Sequence, residues 1–308
     1  MNKRIASFSA ALILLAGCES GGDGATQQPE PVDPVCDSTS VLEGGECLPF
    51  AERIDARATT PFTENGEPVE LEVVLFKPLE GERFPLLVVN HGSTGNGSAP
   101  SRFGETFVHK PTTRHFVEQG WMVAYPQRRG RGRSDGLYDE GFTPNRSGYS
   151  CEAAIALAGA ERALDDIDAV TDWLRLRADV DTTRMLISGA SRGGILSIAY
   201  LARRPEVYLG AINFAGGWSS EGCGDFATIN KTLFVDGAAF PGRSLWIYAE
   251  NDSFYSLGHS QQNFDAFTQA GGVGDFEVFR RDPGLNGHFI INDADRWGGI
   301  VDAYITGL

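Results

Sequence analysis

From about residue 70 onward, the order of apolar and polar positions divides the chain into alternating strands and helices. Residues 71–76 read as a strand stopped by Lys77-Pro78. Residues 84–90 (FPLLVVN) form a continuous apolar run, the mark of a strand buried on both faces. A helix is expected over 112–119, closed by Gly120, and a strand over 121–125. Between 152 and about 177, Ala163, Leu164, Ile167, Val170 and Leu174 recur at helical spacing with charges opposite, which predicts a long amphipathic helix. Further strands are predicted over 185–188, 209–214, 244–249 and 276–280, and helices over 194–203, 259–270 and from about 292. Such alternation predicts an α/β fold, with a mainly parallel central sheet flanked by helices on both faces. In sheets of this kind, chemistry sits in loops beyond the carboxyl ends of the strands.

The first residues follow another pattern. Lys3 and Arg4 precede an apolar run over 5–15, which is of signal-peptide length and too short for a stable bilayer-spanning helix. Leu15-Ala16-Gly17-Cys18 comes next and resembles the lipobox of bacterial lipoproteins. That resemblance implies a signal peptide over 1–17, acylation of Cys18 and a membrane anchor through the lipid. Glu19, where an aspartate would resemble the inner-membrane retention signal, points to the outer membrane. Gly, Ser, Gln, Pro and acidic residues then make 18–35 a flexible tether. The expected organisation is completed by a small disulfide-bearing segment over 36–69 and a catalytic domain over 70–308.

Composition narrows the partners. The chain has 308 residues, 42% hydrophobic and 22% charged, which suits one large globular domain. A net charge of −15 with no basic run disfavours nucleic acid. Of five cysteines, setting Cys18 aside leaves four, and an exported chain would use them as two disulfides. Proximity in sequence suggests Cys36–Cys47 and Cys151–Cys223, one of three connectivities, with free buried thiols as the alternative. No Cys-x-x-Cys and no dense His/Cys cluster is present, so neither a metal nor an organic cofactor is implied.

Gly189-Ala190-Ser191-Arg192-Gly193 fits G-x-S-x-G, with a strand before it and a helix after it. A serine there occupies a tight turn above the sheet, at a helix N-terminus that favours developing negative charge. The pattern resembles the nucleophile elbow of α/β-hydrolases, and the resemblance covers about residue 70 to the end. It implies a Ser-acid-His order along the chain. Asp252 follows the 244–249 strand and is the favoured acid, with Glu250 as its neighbouring rival and Asp225, Asp236 and Asp282 as outside choices. His288 follows the last strand and is the expected base, because an ordinary imidazole exchanges protons near neutral pH. His91, His109 and His115 precede Ser191 and break the order, and His259 reads as a surface or capping residue.

Asn90-His91-Gly92-Ser93-Thr94-Gly95 resembles the family's His-Gly loop, which implies the backbone N–H groups of Ser93 and Arg192 as oxyanion donors. The Arg128–Ser134 segment (RRGRGRS) resembles a chiefly structural loop of this fold, with substrate-carboxylate binding as its other reading. Trp218, Phe254 and Tyr255 could line a pocket or simply pack.

The loops are most similar to the dienelactone-hydrolase and prolyl-oligopeptidase-like branch, although Ser191 replaces the cysteine of a true dienelactone hydrolase. The expected activity is cleavage of a small carboxylic ester through an acyl-enzyme. A prolyl-oligopeptidase-like peptidase is the alternative, without room for a gating propeller. A non-catalytic binding lipoprotein is the third reading.

Overall fold

A computed structural model describes residues 35–43 and 46–308. The proposed signal peptide, Cys18 and almost all of the tether lie outside the described residues. Strands β1 (Ser40–Glu43) and β2 (Glu46–Pro49) pair as an antiparallel hairpin. The Cys36–Cys47 disulfide joins this region, with Cα atoms 5.4 Å apart. Close by, Lys110 Nζ donates to the Asp37 carbonyl (2.8 Å), seating the hairpin region beside the start of helix α1 (Lys110–Val117).

The main sheet has eight strands, in the order β10-β9-β8-β7-β5-β6-β4-β3. Its parallel part runs from β10 (Val273–Phe279) through β9 (Arg243–Ala249), β8 (Gly210–Phe214), β7 (Val180–Ala190) and β5 (Phe84–Asn90) to β6 (Met122–Pro126). Strand β4 (Glu67–Lys77) pairs antiparallel with both β6 and β3 (Glu52–Glu64). Every residue of β5, β6 and β8 is buried, as their apolar runs require of strands covered on both faces.

Strand β3 corrects the expected organisation. Residues 52–64, assigned above to a small N-terminal segment, form the outer strand of the main sheet. Its alternation is polar and half exposed, and Pro61 lies within it. Proline is tolerated there because β3 is an edge strand whose register shifts between Thr59 and Thr63.

Helices α2 (Ala153–Arg175), α3 (Arg192–Leu201), α5 (Leu257–Gln269) and α6 (Ala294–Thr306) lie close to their expected spans. Helix α4 (Phe226–Asp236) was not anticipated; it buries Ile229, Asn230, Leu233 and Phe234. The Cys151–Cys223 disulfide joins the approaches to α2 and α4 across a sequence separation of 72. Two disulfides are the chemistry of an oxidising compartment and mark an exported protein. Among the described residues, no helix is long and apolar enough to cross a membrane.

Candidate active site

Strand β7 delivers the chain into a turn whose apex is Ser191, at φ +56° and ψ −124°. A serine at positive φ costs on the order of 1–3 kcal/mol and persists only where its surroundings enforce it. Here they do. The Ser191 N–H donates to Phe214 O (3.0 Å), and its carbonyl accepts from the N–H groups of Gly194 (3.0 Å) and Gly217 (3.1 Å). A side chain at Gly193 would run into the Asn90 carbonyl, so glycine is what lets α3 pass beneath the His-Gly loop.

Across the opening, Asp252 and His288 come from the loops after β9 and β10. Asp252 Oδ2 lies 2.9 Å from His288 Nδ1. Its Oδ1 accepts the N–H groups of Phe254 (2.7 Å) and Tyr255 (3.0 Å), so both carboxylate oxygens are fixed. An ionised carboxylate only accepts, which assigns the His288 proton to Nδ1 and leaves Nε2 with a free lone pair. Asn286 Oδ1 accepts the His288 N–H (3.0 Å), and Phe254 packs on the ring at 4.5 Å. Ser191, His288 and Ser93 line one cavity of about 650 Å³. Ser191 Oγ and His288 share that cavity without a hydrogen bond between them; such contacts often tighten only around substrate.

The N–H groups of Ser93 and Arg192 make no hydrogen bond among the described residues, and both residues line the same cavity. The Arg192 side chain turns inward. Its guanidinium lies between the rings of Tyr149 (3.6 Å) and Trp218 (4.1 Å), and Nε donates to Trp218 O (3.0 Å). Nη1 donates to the Glu140 carbonyl (3.0 Å) and approaches Glu140 Oε2 (3.3 Å). Glu140 is buried, ion-paired with Arg128 at 2.6 Å and hydrogen-bonded by Tyr138 (3.1 Å). Burial alone would raise its pKa, but Arg128 and Arg192 outweigh that and hold it below the ordinary carboxylate value. Tyr138 meets Tyr149 (2.6 Å), and the Tyr149 hydroxyl accepts the Thr94 N–H (3.2 Å), so the network ends on the His-Gly loop.

His91 of that loop is buried, and its pKa lies well below 6.5 because of desolvation and the charges of Arg128 and Arg131. Its neutral ring donates from Nδ1 to Gly92 O (2.8 Å) and accepts the Arg128 N–H at Nε2 (3.2 Å).

The remaining candidates sit elsewhere. Glu250 pairs with Arg280 (2.7 Å), away from His288. Asp225 accepts the Ala153 N–H (3.0 Å), Asp282 pairs with Arg296 (2.5 Å), and Asp236 ends α4. His259 is not a surface residue: it is buried and held by Asn230 (2.9 Å) and Asn263 (3.0 Å). It reads as exposed because one partner, Asn230, comes from α4, which the sequence pattern did not reveal. His109 hydrogen-bonds Asn292 (2.8 Å), and His115 pairs with Asp302 (2.9 Å). Trp218, Phe254 and Tyr255 all line the cavity. In the arginine loop, Arg128, Arg129 and Arg133 pair with Glu140, Asp166 and Glu72, a structural use. A side chain at Gly130 would strike the Tyr138 backbone. Glu140 was not singled out from sequence, since nothing local marks a buried carboxylate.

The family model of X-Pro dipeptidyl-peptidases (S15 family) matches residues 65–228, more than half of the chain. The chain belongs to the S15 peptidase family. The S15 match includes Ser191 and the His-Gly loop and ends before Asp252 and His288. No curated protein matches this S15 chain in sequence. Among solved structures it is similar to a Pyrococcus furiosus esterase, with TM-score 0.57 and 14% identity over 83% of this chain and 90% of that one. A candidate dienelactone hydrolase from Klebsiella pneumoniae gives TM-score 0.53 and 19% identity, covering 83% and 100% of the two chains. A Pyrococcus horikoshii acylaminoacyl peptidase gives TM-score 0.58 and 16% identity over 84% of this chain and 41% of that longer one. At such identities the likeness establishes the α/β-hydrolase fold, and with the family it makes this chain a hydrolase.

Proposed function

We propose that the protein is a serine hydrolase of small carboxylic esters, with Ser191 as nucleophile, His288 as general base and Asp252 as the group that orients the base. The observation that carries this reading is the Asp252–His288 pair at 2.9 Å, on the same cavity as a serine held at positive φ. In the proposed reaction, His288 Nε2 takes the Ser191 proton as Oγ attacks the ester carbonyl. The oxyanion is received by the N–H groups of Ser93 and Arg192. The proton passes to the departing alcohol, leaving an acyl-enzyme, and a water activated by His288 releases the acid.

Ester is favoured over peptide by the cavity's charge. An X-Pro dipeptidyl-peptidase must hold a free amino terminus, and among the described residues no Asp or Glu lines the cavity to meet an ammonium group. The S15 match keeps peptide cleavage as the second reading. A fluorophosphonate probe should label Ser191, and short 4-nitrophenyl esters should turn over while X-Pro-4-nitroanilides do not. Failure of the folded protein to label would remove both enzyme readings.

We further propose that Cys18 carries lipid and anchors the exported enzyme, in the outer membrane where Glu19 directs it. Alkyne-fatty-acid labelling should be lost in Cys18→Ala. The expected partner is a small-molecule ester, and the charge of −15 opposes nucleic acid.

A further inference from the structure

Residues 215–219 form a strap that leaves β8 and passes against Ser191. The Gly217 N–H donates to the Ser191 carbonyl (3.1 Å), and the Trp218 carbonyl accepts from Arg192 Nε (3.0 Å). Trp218 and Ser219 go on to line the cavity. The strap therefore holds both the proposed nucleophile and the residue that owns one of the two proposed oxyanion N–H groups.

Its far end is gripped by one amide. Asn230, on α4, accepts the N–H groups of Trp218 (2.8 Å) and Ser219 (3.0 Å) at Oδ1, and its Nδ2 donates to the Ser219 carbonyl (2.9 Å). Three backbone groups thus fix which end of this amide is oxygen and which is nitrogen. The same Nδ2 meets His259 Nε2 (2.9 Å), and Asn263 Nδ2 reaches that ring nitrogen too (3.0 Å). Asn230 cannot turn round without letting go of the strap, so Nε2 is the acceptor and the ring carries its proton on Nδ1. A second proton would make Nε2 a donor facing donors. A charged ring and a closed Asn230 grip exclude one another.

The ring is buried, and its surroundings keep it neutral. Burial holds the His259 pKa below 6.5, against a smaller opposing pull from the charge of Glu221. Glu221 lies in the loop that continues the strap, and its Oε1 accepts the N–H of Ser256, the residue that caps α5 and receives the His259 N–H. Helix α4 turns Phe226 and Asn230 to the ring, and α5 turns Asn263 to it.

We propose that His259 is a positioning residue: as a neutral acceptor it locks Asn230, Asn230 locks the strap, and a proton on the ring loosens the strap beneath Ser191 and Arg192. His259 takes this role within the serine-hydrolase reading above, to which it adds a second histidine that works only when neutral.

The test is the pH profile of ester turnover by the intact chain, with far-UV circular dichroism checking that it stays folded. His288, as general base, gives kcat/KM an acid limb of slope one; the proton on His259 should steepen the limb to a slope of two. His259→Leu, which offers Asn230 no acceptor, should lower kcat by about ten- to a hundredfold even in mild alkali, with KM little changed, because the Arg192 N–H serves the transition state. His259→Gln, whose side-chain carbonyl accepts and does not titrate, should recover most of that loss and return the limb to a slope of one. Asn230→Asp keeps an acceptor for both strap N–H groups and can also accept from a protonated ring, so its limb should have a slope of one as well. A wild-type limb no steeper than that of His259→Gln would overturn the proposal, even where His259→Leu fails to fold. So would a folded His259→Leu with unchanged kcat. Absence of Ser191 labelling and of all ester turnover in the wild type would instead remove the hydrolase reading itself.

Discussion

Behind Ser191, β7, α3 and the His-Gly loop approach so closely that Gly193 has no room for a side chain, and backbone bonds do nearly all the holding. In front of it, the cavity wall is made of side chains: Arg192 between two rings, Glu140 between two arginines, and a disulfide joining the two approaches. The first region fixes one geometry, that of Ser191. The second fixes an electrostatic environment, and it depends on partners far apart in the chain. The two regions should therefore fail differently when altered.

The largest effect is expected at the seam. Ser191→Ala should lower kcat on esters by about 10⁴–10⁶ while leaving the melting temperature nearly unchanged. A variant that kept more than a hundredth of the activity would remove Ser191 as nucleophile. In the side-chain wall, Glu140→Leu leaves Arg128 and Arg192 buried without their carboxylate. Breaking a buried pair in this way should cost about 3–5 kcal/mol, read from urea unfolding. A loss below about 1 kcal/mol would mean that the guanidiniums are solvated after all. In the backbone wall, Gly193→Ala should cost about 1–3 kcal/mol, as overpacking does. It should also reduce kcat, because the Arg192 N–H moves with it; unchanged turnover would contradict the proposed oxyanion role.

Cys223→Ser tests how far the wall leans on its disulfide. The loop closed by Cys151 and Cys223 spans 72 residues, and its loss should cost about 2–4 kcal/mol. Activity per folded molecule should fall as well, since both cysteines line the cavity. The smallest effect concerns pH. His91 has a folded pKa well below 6.5, so below that pH the unfolded chain takes up a proton that the folded one refuses. Stability from this group is complete above 6.5 and declines on acidification, by at most about 1.4 kcal/mol per pH unit. His91→Asn should flatten that part of the stability profile; an unchanged slope would mean that the ring is charged in the fold.

This difference in materials also explains what could be read in advance. Backbone-built features leave local marks. The glycines around Ser191, the apolar run of β5 and the places of Asp252 and His288 in loops after successive strands were all legible. Side-chain networks leave none: nothing near Glu140 in sequence announces Arg128 and Arg192 as its partners. Strand β3 was missed because an edge strand is polar on one face, although Ile54, Ala56 and Ala58 do alternate. Helix α4 was missed because its apolar positions, Ile229, Leu233 and Phe234, occupy a short stretch, although Asp225 and Gly237 bracket it as cap residues. That omission misplaced His259, whose partner Asn230 lies on this helix.

The contact between Lys110 and Asp37 has a mechanical consequence. Lys110 adjoins His109, which stands on the cavity wall, so the N-terminal chain joins the domain one side chain from the opening. On the proposed lipid anchor at Cys18, a pull on the chain would reach the domain beside the mouth of the cavity.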